Sequence, residues 1–289
     1  MDKLFDVIIV NYNSTEHTKH NVVALLESDG SDRLNITVID NNSNEDVMIL
    51  KQRFACIHLL RNKKNIGFGA AVNQAIINSK APFVVLINPD AFIENDFFTK
   101  ILACMQNNLS IGILGPKVLD YDGSVQGSAR AFPNLLTAFF GRNSYLTKMF
   151  PNNAISRANI LNLNHPKDRS IEVDWVSGAC MVIRREALTQ TGHLDERFFM
   201  YWEDADLCRR MWENGWQVIY YPKAVVHHQV GQSSRTHPYL TIMHFHKSAF
   251  KLFVKYSKGY QAFFCPFVAS LLMIRGISVA FLTLIKTEH

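Results

Sequence analysis

Three carboxylates follow an aromatic run in a pattern that could support proton transfer. Glu203, Asp204 and Asp206 fall within the stretch "FFMYWEDADLCRR" (198–210). The aromatic residues before them would form a partly dry wall, the setting in which the pKa of a catalytic base is tuned. The alternative is that acidic residues in a first turn only complement the helix dipole. The pattern therefore predicts a general base beside an aromatic wall.

A second group of residues could bind a cation. The apolar run "FVVLI" (83–87) stops at a turn that carries Asn88 and Asp90. Asp90 is placed to bind a divalent cation whose other ligands are substrate phosphates, although an Asx turn would use the same residues. His227 and His228 end another apolar run, and one of them is a candidate for metal or diphosphate contact. A structural role for that histidine is the equally supported alternative.

Alternating strands and helices are predicted to position these groups. Apolar periodicity in the first half predicts four strands and three helices, at 5–10, 15–28, 35–40, 44–53, 56–60, 68–78 and 83–87. Such alternation predicts an α/β fold with a mostly parallel sheet covered on both faces. Each strand is followed by polar residues, and ligands bind at the carboxyl ends of strands in such sheets.

The second half continues the sheet. The stretch "VDWVSGACMVIRREAL" (173–188) predicts a strand, a bend, another strand and a helix. Residues 216–222 and a short apolar run from 224 predict two further strands. The region from about 121 to 170 is expected to shape the acceptor side of the site.

Two glycines indicate a phosphate contact. Gly67 and Gly69 open a predicted helix in "NIGFGAAVNQAI" (65–76), where backbone N–H groups and the helix dipole favour negative charge. The spacing is neither GxGxxG nor a Walker loop, which disfavours dehydrogenase chemistry.

Composition narrows the class of protein. The 289 residues can build one large domain, or one domain with an appendage, and their high apolar content disfavours disorder. The five cysteines form no CxxC pair, so neither a disulfide framework nor a zinc site is predicted, and a reducing cytoplasm fits best. The first residues lack the apolar region of a signal peptide. The net charge of +5 weakly favours phosphates or a membrane surface, and no nucleic-acid motif accompanies it.

The C-terminal region is predicted to attach to a membrane. Residues 261–285 are long and apolar enough to span a bilayer, but Arg275 near their middle makes a span costly. Upstream, four lysines share one helix face, as in an interfacial helix on an anionic leaflet: Lys247, Lys251, Lys255 and Lys258. Peripheral attachment to the inner, cytoplasmic face of the membrane is the preferred interpretation, and docking of this helix on the catalytic domain is the alternative.

Eight motifs in this order resemble the family 2 glycosyltransferases of the GT-A fold, and within them the bacterial rhamnosyltransferases. The motifs are "VIIVNYNS", "VIDNNS", "NIGFGAAVNQAI", "LINPDA", "SARAFPNLLTAFFGR", "VDWVSGACMVIRREAL", "LDERFFMYWEDADLCRR" and "VVHHQVGQSS". The resemblance covers about residues 5 to 250. It implies a GT-A domain, which we place over 1–238, and the apolar C-terminal stretch predicts a helical, membrane-associating extension over 239–289.

The resemblance assigns residues to the nucleotide-sugar donor. It implies donor contacts at Val10, Asn11, Tyr12, Asn13, Asp40, Asn65, Gly67, Asn73, Asn88, Asp90 and Trp175. Asp40 would hydrogen-bond the pyrimidine ring. Asp90 matches the last residue of the DxD-type motif that holds Mg²⁺ or Mn²⁺, with Asn88 in the place of the first Asp. His228 matches the histidine of an HxxG-type motif and would join Asp90 at the metal.

The resemblance also assigns the catalytic and acceptor residues. Asp204 matches the general base of the "ED" motif, and Glu203 is the second candidate. Asp174, Trp202 and Arg210 are assigned to the acceptor side.

The expected activity is inverting transfer of a sugar, L-rhamnose from dTDP-L-rhamnose, to a saccharide or polyprenyl-linked acceptor in cell-surface polysaccharide synthesis. One carboxylate must face the acceptor and another the diphosphate, and Asp204 and Asp90 fit those tasks. The alternatives are another donor, such as a UDP-hexose, and a nucleotide-binding module without catalysis.

Overall fold

A nine-stranded sheet organises the molecule. The computed structural model describes residues 2–133, 149, 159–163, 168–229 and 238–287. The strands are β1 Phe5–Asn11, β2 Leu34–Asp40, β3 His58–Arg61, β4 Phe83–Ile87, β5 Ala91–Ile93, β6 Ile111–Leu119, β7 Ala129–Arg130, β8 Ile171–Glu172, β9 Trp175–Val176, β10 Cys180–Arg184 and β11 Gln217–His228. The helices are α1 Thr15–Glu27, α2 Met48–Arg53, α3 Phe68–Asn78, α4 Phe97–Asn107, α5 Arg185–Thr191, α6 Glu203–Glu213, α7 Pro238–Tyr256 and α8 Cys265–Thr287.

The strand order in the sheet is β3-β2-β1-β4-β10-β6-β11-β5, with β8 paired to β11. The longest ladders, β1 with β2 and β6 with β11, are parallel, whereas β10 runs antiparallel to both its neighbours. Strands β7 and β9 form a separate two-stranded sheet. The predicted α/β architecture with a mostly parallel sheet is confirmed.

Apolar layers cover both faces of the sheet. Strand β1 is buried at every position, as its uninterrupted apolar run predicts for a central strand. One layer includes Val7 and Ile9 with Phe97 of α4, and the other includes Ile8 with Val72 of α3. Alternate residues of β1 thus point to opposite layers, and the strand ends where Asn11 reaches the polar rim.

Three sequence-based element boundaries differ from the structure by more than one residue. Helix α2 begins at Met48, later than the predicted start at 44, and β3 begins at His58 instead of 56. The two strands predicted from 216 and 224 are one strand, β11. The register of β11 against β6 shifts between Tyr221 and Val225, so the irregularity accommodates the proline between them without ending the strand.

The predicted row of membrane-facing lysines is wrong for two of its four members. Lys251 donates to the backbone carbonyl of Arg197, and Lys255 lies 2.8 Å from a carboxylate oxygen of Asp195. Both therefore bind the catalytic domain, as the docking alternative states. Lys247 and Lys258 are exposed. Lys258 also lies beyond the end of α7 at Tyr256, so the four lysines do not share one helix face. Helical periodicity shows neither where the helix ends nor what its face contacts.

Helix α8 is the most exposed apolar element in the described part of the chain. Large side chains along it are 58 to 64% exposed, among them Phe267, Met273, Ile274, Ile277 and Phe281. By length and composition alone, Gly259–Ile285 could cross a membrane.

Candidate active site

The ends of β1 and β2 build the first wall of the site. Parallel register places Asn11 beside Asp40, and both side chains are buried. Asn11 Nδ2 donates to Asp40 Oδ1 at 3.2 Å and to Ser43 Oγ at 3.0 Å, and Asn11 Oδ1 accepts from Thr18 at 2.8 Å. The amide of Asn11 therefore orients the Asp40 carboxylate, a positioning role that the polar cluster after β1 did not reveal.

The loop after β1 carries the remaining residues predicted at the nucleotide base. Val10 is buried at the end of the strand, whereas Tyr12 and Asn13 are partly exposed. Asn13 adopts a φ of 50°, and its backbone N–H donates to Ser43 Oγ at 2.9 Å. The backbone of Asn13 is thus fixed against the loop after β2. The contacts of Val10, Tyr12 and Asn13 with a nucleotide stay a prediction.

Asn41 organises the entrance to α3, and sequence reasoning missed it. Asn41 Nδ2 donates to Asn65 Oδ1 at 2.8 Å and to the carbonyl of Gly67 at 3.2 Å. Asn41 Oδ1 accepts from the N–H of Ile66 at 3.1 Å. The side chain thereby holds three successive positions around the predicted diphosphate contact. Its place in the "DNNS" cluster was the available signal.

Gly67 is required by close approach and by backbone conformation. Its φ is 90°, and a Cβ at this position would lie 2.6 Å from the carbonyl oxygen of Phe199. The next N–H, of Phe68, donates to that same oxygen at 2.7 Å. The start of α3 is therefore closed against the loop that precedes α6, and one of the helix N–H groups expected for a phosphate is already engaged.

Asn73 has a structural set of partners. Its Nδ2 donates to the carbonyl of Leu194 and to Glu196 Oε1, both at 2.9 Å, and its Oδ1 accepts from the Leu194 N–H at 3.1 Å. Both amide hydrogens are engaged within the protein. The structure therefore gives Asn73 the task of tying α3 to the 194–196 loop and offers no support for its predicted donor contact.

The turn after β4 meets the end of β11. His228 Nε2 lies 3.3 Å from Asp90 Oδ1 and 3.4 Å from Asn88 Nδ2, while His228 Nδ1 lies 3.2 Å from Gln126 Oε1. Asp90 is buried, and its backbone carbonyl accepts from Gln229. The three residues predicted at the metal and diphosphate are thus brought together, whereas His227 points elsewhere, 3.5 Å from Glu94.

The cluster of Asn88, Asp90 and His228 fits a cation that is held partly by the protein and partly by the phosphates of a substrate. No group of three or more His, Cys, Asp or Glu side chains in the described residues forms a metal site. Asp90 and His228 supply one carboxylate oxygen and one imidazole nitrogen, so further ligands would have to come from phosphate oxygens, as Mg²⁺ commonly takes them.

The two candidate bases have different surroundings at the start of α6. Asp204 Oδ2 accepts from the N–H of Gly178 at 2.9 Å, and its Oδ1 accepts from the N–H of Ala205 at 2.8 Å. Burial raises the pKa of Asp204, while these N–H groups and the charge of Arg130 oppose the rise. Glu203 is 6% exposed, and its Oε2 has no hydrogen-bond partner in the described residues.

Burial raises the pKa of Glu203 well above its usual range, and the neighbouring charge of Asp204 raises it further. The surroundings therefore separate two adjacent carboxyl groups whose pKa values are both raised: two N–H donors favour the anion of Asp204, whereas Glu203 has the stronger shift towards the neutral acid. This separation favours Asp204 over Glu203 as the group that takes a proton at neutral pH.

The turn between β9 and β10 connects Asp204 with the turn that carries Asn88 and Asp90. Gly178 donates to Asp204, and the carbonyl of the next residue, Ala179, accepts from the N–H of Asn88 at 2.9 Å. The turn between β9 and β10 therefore touches the base candidate on one side and the Asn88–Asp90 turn on the other.

Aromatic residues cover the side of the site beside Asp204. The ring centroids of Trp175 and Trp202 lie 5.9 Å apart, and Arg130 lies 5.3 Å from the Trp175 ring. Trp175 Nε1 donates to the carbonyl of Ala131, but Trp202 Nε1 is buried without a partner in the described residues. An unpaired buried donor fits contact with a substrate oxygen. Tyr201 and Trp202 both adopt positive φ, 68° and 72°, a strained backbone typical of functional sites.

Asp174 and Arg210, both predicted on the acceptor side, are occupied by the fold. Asp174 Oδ2 accepts from the backbone N–H of Phe132 at 2.6 Å. Arg210 pairs with the buried Asp206 at 3.0 Å and donates to the carbonyls of Thr191, Gly192 and His193. These bonds direct Arg210 towards the end of α5 and do not support an acceptor contact. The predicted loop shaping the acceptor side lies largely outside the described residues, as does Gly231 of the HxxG-type motif.

Comparison with known proteins gives a consistent result. A family model described as glycosyltransferase-like family 2 matches residues 3–255. The chain is 31% identical over 263 residues to an N-acetylglucosaminyl-diphospho-decaprenol L-rhamnosyltransferase of Mycobacterium tuberculosis, covering 86% of this chain and 84% of that protein. It is 25% identical to the rhamnosyltransferase WbbL of Escherichia coli, covering 80% and 85%.

Solved structures with the same fold have little sequence identity to the chain. A mannosyltransferase from Pyrobaculum calidifontis in complex with GDP-Man and Mn²⁺ matches with a TM-score of 0.60 and 15% identity, over 97% of this chain and 75% of that one. TarS of S. aureus, residues 1–349, matches with a TM-score of 0.56 and 14% identity, over 95% and 72%.

Proposed function

Because the chain belongs to glycosyltransferase family 2, we propose that it transfers L-rhamnose from dTDP-L-rhamnose, with inversion, to a saccharide or polyprenyl-linked saccharide in cell-surface polysaccharide synthesis. The enzyme class and the GT-A fold predicted from the sequence are confirmed by the family match and by the structural neighbours. The rhamnosyltransferases among the relatives support the sugar and the lipid-linked acceptor.

The observation that carries the reaction is the turn at Gly178 and Ala179, which contacts both Asp204 and the Asn88–Asp90 turn. In an inverting transfer the acceptor oxygen attacks the anomeric carbon on the face opposite the departing diphosphate. One carboxylate therefore has to face the acceptor while the other group faces the diphosphate. A single turn that bonds the Asp204 carboxylate and the backbone of the Asn88–Asp90 turn supports that division of roles.

Asp204 takes the proton from the acceptor hydroxyl. The hydroxyl oxygen forms the bond to the anomeric carbon as the bond to the diphosphate oxygen breaks, and the nucleoside diphosphate leaves with the bonding electrons. Burial raises the pKa of Asp204, which strengthens it as a base, while the hydrogen bonds from the N–H groups of Gly178 and Ala205 favour its anion. Its negative charge also stabilises an oxocarbenium-like transition state.

Asp90 and His228 would hold Mg²⁺ or Mn²⁺, and such a cation offsets the charge on the departing phosphates. Asn11 keeps Asp40 oriented beside the nucleotide base, and Trp202 offers its free indole N–H to the acceptor. The enzyme would work at the inner leaflet of the cell membrane, where the exposed apolar side of α8 can bind.

A donor panel tests the reaction. Purified protein is incubated with dTDP-L-rhamnose, UDP-hexoses and GDP-mannose, with and without Mg²⁺ or Mn²⁺, and nucleoside diphosphate release is followed. Cation-dependent turnover of dTDP-L-rhamnose alone is expected. Turnover of another donor would replace the sugar and keep the reaction class, whereas absence of both turnover and nucleotide binding would overturn the proposal. The anomeric configuration of the product, read by NMR, tests inversion.

Paired variants test the base. Asp204→Asn should lower kcat by about 10²- to 10⁴-fold with little change in nucleotide affinity, because it removes only the proton acceptor. Glu203→Gln, which mimics the neutral acid, should retain activity within about tenfold and serves as the matched control. A large kcat loss in Glu203→Gln with activity retained in Asp204→Asn would move the base to Glu203.

A further inference from the structure

Arg275 is a half-buried cation without an anionic partner in the described residues. It lies in the middle of α8 and faces α7, where Nη1 donates to His246 Nε2 at 3.0 Å. Its Cζ lies 5.7 Å from the ring centroid of Phe245. Burial lowers the pKa of Arg275, and no carboxylate opposes that shift. An unpaired charge in such surroundings is unfavourable.

His246 holds the guanidinium as a neutral acceptor. Burial lowers the pKa of His246, so the imidazole is neutral at pH 7. Its Nδ1 lies 2.7 Å from the carbonyl of Ile242, which fixes the proton on Nδ1 and leaves the Nε2 lone pair for Arg275. One guanidinium N–H is thereby used, and the other N–H groups form no bond within the described residues. A guanidinium in this state matches the oxygens of a phosphate.

The position of Arg275 indicates the source of that phosphate. Its neighbours in α8, Met273, Ile274 and Ile277, are 60 to 64% exposed, so lipid is the environment they fit. Towards the catalytic domain, the Phe245 ring lies 5.4 Å from that of Trp202. Trp202 is two residues before Asp204, the proposed base. The guanidinium thus lies between the exposed apolar surface of α8 and the candidate active site.

We propose that Arg275, held by His246, binds the phosphate of a membrane lipid, and that in catalysis this is the diphosphate of the lipid-linked acceptor. The inference rests on the proposed function. An acceptor held in this way has its hydrocarbon along α8, its phosphates at Arg275 and its sugar directed past Phe245 towards Trp202 and Asp204. The opposite charges of guanidinium and diphosphate give the recognition.

Vesicle binding of the full chain tests the site without any sugar transfer. Phosphatidylcholine vesicles contain either undecaprenyl diphosphate or phosphatidylglycerol at equal total negative charge, and binding is measured by flotation. The wild type should prefer the diphosphate vesicles by about tenfold, and Arg275→Gln should lose this preference. Arg53→Gln, which removes an exposed arginine at the end of α2, is the charge-matched control and should keep it.

The outcomes separate the two lipid sources. Loss of binding to undecaprenyl diphosphate alone supports the acceptor as the ligand. Equal loss on both vesicle types supports phosphate binding but assigns it to bilayer phospholipid, which overturns the acceptor part. Unchanged binding to both by Arg275→Gln would overturn the site and leave Arg275 as a link between two helices.

A second measurement applies if Arg275→Gln does not fold. Farnesyl diphosphate should raise the Tm of the wild type, and farnesol should not; equal effects of the two would overturn the phosphate site. Arg275→Lys keeps the charge without the planar fork and should bind with intermediate affinity. Donor hydrolysis is measured separately. Donor turnover without a preference for the diphosphate lipid rejects only this inference. A preference for the diphosphate lipid without turnover of any donor rejects only the proposed function.

Discussion

Helices α7 and α8 are adjacent in the chain but use their side chains in opposite ways. Helix α7 directs Lys255 to the fully buried Asp206, at 2.5 Å, and Tyr256 donates its hydroxyl hydrogen to the same carboxylate at 2.8 Å. Helix α8 exposes most of its large apolar side chains. Helix α7 is therefore part of the catalytic fold, whereas α8 leaves most of its large apolar side chains uncovered by the described residues.

The family match agrees with this division, because it ends at residue 255, close to the end of α7. The boundary predicted at 238 separates α7 from the helix that carries the base candidate, although Ser248 of α7 donates to the carbonyl of Met200 at 2.9 Å. A boundary between Tyr256 and Cys265 matches these contacts better.

Two truncations give the largest expected difference. Deletion of residues 238–289 should destabilise the protein by roughly 5 kcal/mol or more and abolish cooperative unfolding, because Asp206 loses two partners and Trp202 loses its cover. Deletion of residues 259–289 should keep the cooperative transition and the nucleotide affinity. Circular dichroism melting and dTDP titration measure both. Equal stability of the two truncated proteins would abolish the distinction between the helices.

Polar substitutions on α8 come next. The triple variant Ile274→Gln, Ile277→Gln, Phe281→Gln should weaken binding to anionic vesicles by about 100-fold, because each apolar side chain transferred to lipid contributes on the order of 1 kcal/mol. The Tm should change little, since these side chains are exposed. Ile77→Gln, at an exposed apolar position of α3, is the control and should retain binding. A drop in Tm with vesicle binding retained would place the α8 surface inside the fold.

In contrast to the α8 variants, substitution of one lysine of α7 should lower the stability of the fold. Lys255→Met should lower the free energy of unfolding by roughly 2 to 3 kcal/mol, because it removes a cation from the buried Asp206 while Arg210 and Tyr256 remain. Lys247→Met, on the same helix but exposed, should stay within about 0.5 kcal/mol. Urea unfolding gives both values. A neutral result for Lys255→Met would remove the main argument for α7 as a structural element.

The smallest expected effect is a loss of folding stability at low pH through Asp195. The hydrogen bond from Arg197, followed by the contact with Lys255, lowers the pKa of Asp195 below its unfolded value of about 3.9. A lowered pKa gives stability that is complete above about pH 4 and is lost as the pH falls towards the folded pKa. Because Arg197 is exposed and screened, the loss should be below about 1 kcal/mol.

Urea midpoints measured at decreasing pH should therefore fall less in Asp195→Asn than in the wild type. Deletion of residues 259–289 should leave the acid dependence unchanged, since α8 makes no contact with Asp195 among its described hydrogen bonds and ion pairs. An acid dependence that disappears with that deletion would transfer the effect from α7 to α8.

Sequence reasoning was most successful where one local pattern decides the structure. The buried strands and the helix after Gly67 were predicted because apolar periodicity records burial directly. The joining of Asp90 with His228 was also anticipated, since parallel strands end at the same rim. The lysine row was misread in part because helical spacing shows that residues share a face but not which surface that face contacts.

Ordered motifs and burial patterns are properties of the chain alone, and they were sufficient to predict the family, the α/β architecture and the approach of Asp90 to His228. Tertiary structure decided which polar atoms are paired. Packing bonded Asn73 and Arg210 within the protein, gave Asp204 two N–H donors and left Glu203 Oε2 without one. The physical reason is that a buried hydrogen bond depends on segments far apart in the sequence, and only the folded chain brings them together.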